Sequence, residues 1–267
     1  MTPDLTVAEI LARLAYDPVT GLFMRRVAAG PHAHPAFRAS DWAAVDAFFA
    51  RRCRSAAALR AREGIAGLRH HDPMTSIVRS INVSRARAVE INGQSVMTGI
   101  FKRAVDQPVS VKVMGIEGDE QSDLSVHGGL TKAVYAYPVE HYGFWQTVRA
   151  QAKVAGWDEP LMPGALGENL TISGFVESEA FIGDVLRFAD CELAVSEPRF
   201  PCFKFNAAMG FNQAAKLMGQ NAWCGFYLAV RIPGTLRPGE SFELLPGPRE
   251  VGIQELFRSK MSRAKLG

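Results

Sequence analysis

The feature that most restricts the fold is a succession of short, strand-like segments, each closed by glycine or proline, beginning at Ile77. SINVSRARAVEIN and QSVMTGIFKRAV meet across Asn92-Gly93. That dipeptide suits a two-residue hairpin because both positions tolerate positive φ. PVSVKVMGIEGDE adds a third strand, with Val111 and Val113 alternating before a glycine-rich turn. A strand follows over residues 133–137, and Pro138 then opens a helix that carries Tyr142 and Trp145 on its inner side. Further strands are expected over residues 169–172, on both sides of the turn at Ala189-Asp190, and in GFYLAVRIPG and ESFELLPGP. NAAMGFNQAAKLMGQ reads as one short helix. Many short strands with few helices predict a mainly β fold with some helices, closed or strongly bent into a β-barrel.

The first 73 residues differ in texture. They are rich in Ala and Arg and contain no Lys, which first occurs at Lys102. TVAEILARLAY places Val7, Ile10, Leu11 and Leu14 on one helical face, with Thr6 as cap, and DWAAVDAFFARRCRSAAALRARE repeats the pattern. This stretch is expected to be a short helical N-terminal extension of unknown role, or sequence upstream of a later start at Met74. The main domain is then expected over 74–255, followed by a short tail over 256–267.

The whole chain narrows the function classes. A net charge of +3 over 267 residues is too weak a basic balance to argue for nucleic-acid binding. No apolar run is long enough to span a membrane, and no secretory leader pattern opens the sequence. Cys53, Cys191, Cys202 and Cys224 form no C-x-x-C pair. Free thiols in a reducing cytoplasm are therefore expected. The histidines fall in no zinc-ligand spacing with them.

Three stretches carry candidate chemistry. In GIEGDEQSDLSVHGGLTKAVYAY, His127, Gly128, Gly129 and Lys132 form a His-Gly-Gly-x-x-Lys run just before a strand, with Asp119 and Asp123 in the preceding loop. Paired glycines allow backbone amides to approach an anion closely, Lys132 offers a point charge, and His127 a donor or proton shuttle. The same run is also compatible with a tight corner beside a solvated lysine. In PGALGENLTISG, Glu168 and Asn169 sit at a loop-to-strand transition, where they could line a pocket or close a turn. In EPRFPCFKF, Pro198 and Pro201 stiffen the backbone around Arg199, and Cys202 lies between Arg199 and Lys204. Nearby cations favour the thiolate, the nucleophilic and soft-metal-binding form. Cys191 and Cys224 fall in apolar strand-like runs and read as core residues.

Taken together, GIEGDEQSDLSVHGG, KAVYAYPVEHYGFW, PGALGENLTISG, IGDVLRF and PRFPCFKF, in that order, resemble the MOSC-domain family, named for the C-terminal domain of molybdenum-cofactor sulfurases. The likeness covers roughly residues 77–255 and is greatest to the YiiM-like bacterial branch. It implies a MOSC-type closed β-barrel whose pocket binds the molybdenum cofactor in its molybdopterin form. Cys202 would be the metal ligand. Gly128, Gly129, Lys132, Glu168, Asn169 and Arg199 would line the cofactor site, and His127, Asp119 or Glu168 would relay protons. The implied activity is that of a molybdenum-cofactor-dependent oxidoreductase. It would reduce N-hydroxylated compounds such as hydroxylamino base analogues, a detoxification reaction, with electrons from a separate donor protein (a reductase or flavoprotein). A homodimer is compatible with this. The alternative is a non-catalytic carrier of the cofactor or of sulfur. Two departures stand out. The C-terminus has room for one short helix where many YiiM-like proteins carry three, and no ferredoxin-type cysteine cluster is present.

Overall fold

The structure, a computed structural model, describes residues 14–17, 22–25, 76–122 and 128–263. The chain divides into two compact units, Met1–His71 and Asp72–Gly267. In the first, the described segments are two strands, β1 (Leu14–Asp17) and β2 (Leu22–Arg25), paired antiparallel with Leu14 opposite Arg25. This corrects the helix expected through Tyr16: a proline at 18 disfavours the helical conformation at Asp17, and the chain turns back as a hairpin. The second expected helix lies outside the described residues.

The second unit begins with β3 (Ile77–Val83), β4 (Arg87–Ile91), β5 (Gln94–Thr98), β6 (Arg103–Val105), β7 (Val109–Lys112) and β8 (Gly115–Ile116). Asn92 and Gly93 have φ of 53° and 75°, both positive as a two-residue hairpin turn requires. The expected pair of long strands is nevertheless four short ones. β4 and β5 pair only with each other, while β3 and β6 join the main sheet.

After β9 (Val134–Pro138) a single 3-10 turn leads into helix α1 (Tyr142–Gln151), whose Tyr142 and Trp145 are buried as the aromatic spacing predicts. Next come β10 (Leu170–Ser173), β11 (Val185–Arg187), β12 (Glu192–Pro198), α2 (Phe203–Met209), α3 (Ala214–Asn221), β13 (Phe226–Ile232), β14 (Gly234–Leu236), β15 (Glu243–Leu245) and α4 (Ile253–Arg263). The single helix expected over residues 206–220 is two, because Gly210 takes a left-handed φ of 83° and ends α2.

Eight strands form one mixed sheet in the order β15-β11-β12-β13-β9-β10-β3-β6. β9 and β10 run parallel and the other neighbours antiparallel. The sheet is not closed into a barrel, contrary to the expectation. Its edge strands are the three-residue β6 and β15, which do not pair with each other. The segment just before β15 returns to β3 through the bridge between Ile77 and Ser241 and three backbone hydrogen bonds between residues 239–242 and 76–78. Short edges of this kind end pairing before a closed ladder can form. The core lies along the central strands, where β9 and β10 are buried at every position and Val78, Ile81, Leu170, Ile172, Phe226 and Leu228 are fully enclosed. Both faces of these strands are covered, so even the polar Thr171 and Ser173 of β10 are buried. α4 adds Ile253 and Phe257 to this core, with the Phe257 ring stacked on Phe200 at 5.3 Å. Among the described residues no helix is long and apolar enough to cross a membrane.

Candidate functional site

Three neighbouring strands of the sheet, β12, β13 and β9, deliver the centre of the site. Tyr227 on β13 is the register partner of Tyr135 on β9, and Pro198, the last residue of β12, is the partner of Phe226. The chain then leaves the sheet through Arg199, Phe200 and Pro201. Cys202 follows as the residue immediately before α2. An open cleft results, bordered among others by Lys102, Asp119, Gln121, Lys132, Tyr135, Asn169, Arg199, Cys202, Lys204 and Tyr227. Cys202, Lys132, Asp119, Asn169 and Arg199 are thus brought together from segments up to 83 residues apart (202 − 119).

Arg199 is the least ordinary member. It is 5% exposed, and its guanidinium lies over the Phe205 ring at 4.6 Å and the Tyr135 ring at 5.4 Å. Its Nη1 reaches the Met218 thioether at 3.4 Å. Among the described residues no carboxylate pairs with it. Burial works against its charge, but the phenols of Tyr135 and Tyr227 and the thiols of Cys202 and Cys224 outweigh that, so its pKa stands above the ordinary arginine value. Aromatic faces hold a cation without neutralising it, which leaves the guanidinium available to an anion.

The thiols Cys191, Cys202 and Cys224 occupy different settings. Cys191 and Cys224 are buried, and burial pushes Cys191 up to about 12 and Cys224 well above the ordinary thiol value, so both remain protonated core residues. Cys202 is half-buried at the cleft.

The remaining expected residues divide. Lys132 borders the cleft, 3.9 Å from Glu197 and 6.0 Å from the Tyr227 ring centroid. Gly129 donates its N–H to Gln121 Oε1 at 2.8 Å, so this amide already has a protein acceptor. Gln121 also donates to the Met114 carbonyl at 2.9 Å, tying the Gly128-Gly129 corner to the β7–β8 turn. Asp119 accepts from Lys102 and, at 2.8 Å, from Ser84 N–H, so it acts first as the buried counter-ion of a lysine. Burial draws the Lys102 pKa below its ordinary value, and Asp119 partly restores it. His127 lies outside the described residues.

Asn169 is at the cleft wall, but its side chain serves the fold. Oδ1 accepts Tyr135 N–H at 3.1 Å and Nδ2 donates to the Asn82 carbonyl at 3.2 Å, locking β3, β9 and β10. Glu168 does not border the cleft. It is fully buried, and it accepts from the Tyr142 hydroxyl, Gly164 N–H at 2.7 Å, Leu166 N–H at 3.0 Å and Thr171 Oγ1 at 2.9 Å. Four donors turn its carboxylate inward and knot the 164–171 loop.

Sequence reasoning missed Tyr135, Tyr227, Lys102 and Gln121, and it read Lys204 only as a flank. Lys204 donates to the Met97 carbonyl at 3.1 Å and so joins α2 to the β4–β5 hairpin. Only the β9–β13 register brings the two tyrosines together, and nothing local in the sequence announces that pairing.

The donor set suits one kind of metal. Among the described residues no three His, Cys, Asp or Glu side chains cluster as a metal cage. One thiol beside Arg199, Lys132 and Lys204 fits instead a metal that arrives with its own anionic organic ligand and takes a single bond from the protein.

A family model described as MOSC domain matches residues 123–243. The uncharacterised protein YflK of Bacillus subtilis is 36% identical over 189 residues, covering 70% of this chain and 82% of YflK. A Gibberella moniliformis protein named Reductase is 30% identical over 198 residues, which is 70% of this chain but 33% of that protein. Among solved structures, YiiM from Geobacillus stearothermophilus aligns with a TM-score of 0.55 at 28% identity, over 70% of this chain and 85% of that one. The chain belongs to the MOSC-domain family. Within it, the similarity is to the YiiM-like proteins.

Proposed function

We propose that this protein binds the molybdenum cofactor in its molybdopterin form and reduces N-hydroxylated compounds, such as hydroxylamino base analogues, with electrons from a separate donor protein. The observation that carries the reading is the presence at one cleft of the Cys202 thiol and a buried guanidinium, Arg199, that no carboxylate among the described residues pairs with. A guanidinium so held is stable only if an anion or aromatic faces accompany it, and a pterin phosphate supplies the anion. Cys202 would be the protein's bond to molybdenum, while Arg199, Lys132 and Lys204 would bind the phosphate. When bound, the cofactor supplies the two-electron chemistry that cleaves an N–O bond. The chain's own residues hold and orient it, and Asp119 keeps the Lys102 ammonium at the wall of the cleft. The name of the fungal relative, Reductase, supports the reaction class.

The test is metal and pterin analysis of protein made in a host that synthesises the cofactor, beside Cys202→Ala. The wild type should carry near-equal amounts of molybdenum and pterin, and should reduce phenylhydroxylamine when reduced methyl viologen supplies electrons. Cys202→Ala should lose at least 100-fold of that activity, on the order of the loss when a reacting group's only protein anchor is removed. Full activity in the variant would sink the reading. Bound cofactor with no reduction by the wild type would leave a carrier.

A further inference from the structure

Tyr135 and Tyr227 stand side by side with ring centroids 5.4 Å apart, and both border the cleft. Their hydroxyl groups are used differently. Tyr135 donates to the Cys224 carbonyl at 2.8 Å, so its hydrogen is committed inside the fold. The Tyr227 phenol lies close enough to the Arg199 guanidinium to feel its charge. A guanidinium has five donors and no acceptor, so the phenol hydrogen is not spent on Arg199 and remains to be donated elsewhere. Among the described residues nothing accepts it. The ring has little freedom: Tyr227 is 8% exposed, packed against Tyr135, with the Lys132 ammonium 6.0 Å from its centroid. Burial raises the Tyr227 pKa to about 12 against the pull of Arg199, so the hydroxyl keeps its proton at any physiological pH. Here is a fixed O–H, polarised by a cation, on the wall of a cleft that a ligand would fill. Such groups select a ligand by the acceptor it brings.

We propose that Tyr227 recognises the substrate, donating a hydrogen bond to its N-hydroxyl oxygen. This inference rests on the reductase reading and extends it to the choice between oxygenated substrate and deoxygenated amine. An amine product lacks that oxygen and leaves the phenol hydrogen without its acceptor, so product is held less tightly than substrate.

The experiment is calorimetric binding of phenylhydroxylamine and of aniline to cofactor-loaded protein with no electron donor present. The wild type should prefer phenylhydroxylamine by roughly tenfold, the value of one hydrogen bond made or missing in a buried site. Tyr227→Phe should abolish that preference while keeping molybdenum and pterin at wild-type content. Tyr135→Phe should lower the melting temperature by freeing the Cys224 carbonyl, yet shift both ligands by the same factor. Should Tyr227→Phe purify without cofactor, the same ratio is read on the cofactor-free forms of both proteins. A Tyr227→Phe protein that keeps the preference, or weakens both ligands equally, overturns the proposal alone. A wild type that binds both ligands equally overturns it as well. Failure of the wild type to reduce phenylhydroxylamine strikes the reductase reading instead.

Discussion

Glu168 and Arg199 are both almost wholly removed from water, yet their surroundings are opposite. Glu168 accepts from two backbone amides and two hydroxyls, and every one of these donors lies within its own loop, β10 or α1. Arg199 has five N–H donors and meets two aromatic faces and a thioether. A buried charge with a full set of partners stabilises a particular backbone path, and removing it leaves those partners stranded. A buried charge held mainly by π-faces contributes little to folding and keeps its field for something else. The difference teaches that burial alone does not mark function. The state of the partners does, and by that measure Arg199 is the candidate for the site and Glu168 serves the scaffold.

The sharpest way to break this comparison is to remove each charge. Glu168→Ala orphans Gly164 N–H, Leu166 N–H and the hydroxyls of Tyr142 and Thr171 in a dry region. At about 1–3 kcal/mol per buried unsatisfied donor, partly relieved by water entering the cavity, the expected loss is about 3–5 kcal/mol, the largest of any substitution discussed. Urea unfolding of the cofactor-free protein measures it, and a loss below about 1 kcal/mol would show that the loop does not depend on this carboxylate. Arg199→Met should behave the other way. A methionine fits beside Phe205 and Met218, and replacing a buried charge by an apolar side chain is often neutral or stabilising, so cofactor-free stability should change by about 1 kcal/mol or less. The same variant should purify with little molybdenum or pterin. An Arg199→Met protein that is strongly destabilised but fully loaded with cofactor would reverse the two assignments.

What was legible in the sequence was local. Asn92-Gly93 announces its own turn, since both residues need positive φ. Pro138 followed by aromatic residues at helical spacing announces α1, and Cys202 stands out because two prolines and two cations flank it. What was not legible depends on strand order. Tyr135 and Tyr227 are 92 positions apart (227 − 135), and Lys102 finds Asp119 only after β6, β7 and β8 have folded back. Glu168 is ambiguous in the sequence for a related reason. An acidic residue after a glycine at a loop-to-strand junction has the same sequence signature whether it faces a ligand or closes its own loop, and the geometry of its donors decides. The open sheet was hidden as well, because short strands with glycine and proline turns are equally compatible with a closed barrel and with a sheet whose edges stop early.

The smallest expected effect is in the pH dependence, and it asks whether Glu168 is as fully satisfied as its four donors suggest. Burial raises its pKa above the ordinary 4.5, and the hydrogen bonds from Tyr142, Gly164 and Thr171 pull it back only in part. Between 4.5 and the raised value, the folded protein therefore holds more of this proton than the unfolded chain does. Stability rises with pH only where the unfolded state binds more protons, so here it must fall as pH rises through that window, with a slope of no more than about 1.4 kcal/mol per pH unit. Glu168→Gln cannot titrate. It keeps one carbonyl oxygen for Gly164, Tyr142 and Thr171 but turns an amide toward Leu166 N–H, a penalty that does not vary with pH. The stability advantage of wild type over Glu168→Gln should accordingly be greatest near pH 4.5 and narrow toward neutrality, read as the difference between urea midpoints from pH 4 to 7. An advantage that widens with pH would mean that the donors outweigh burial, making Glu168 a carboxylate the fold prefers charged. The contrast with Arg199 would then be one of partner number alone.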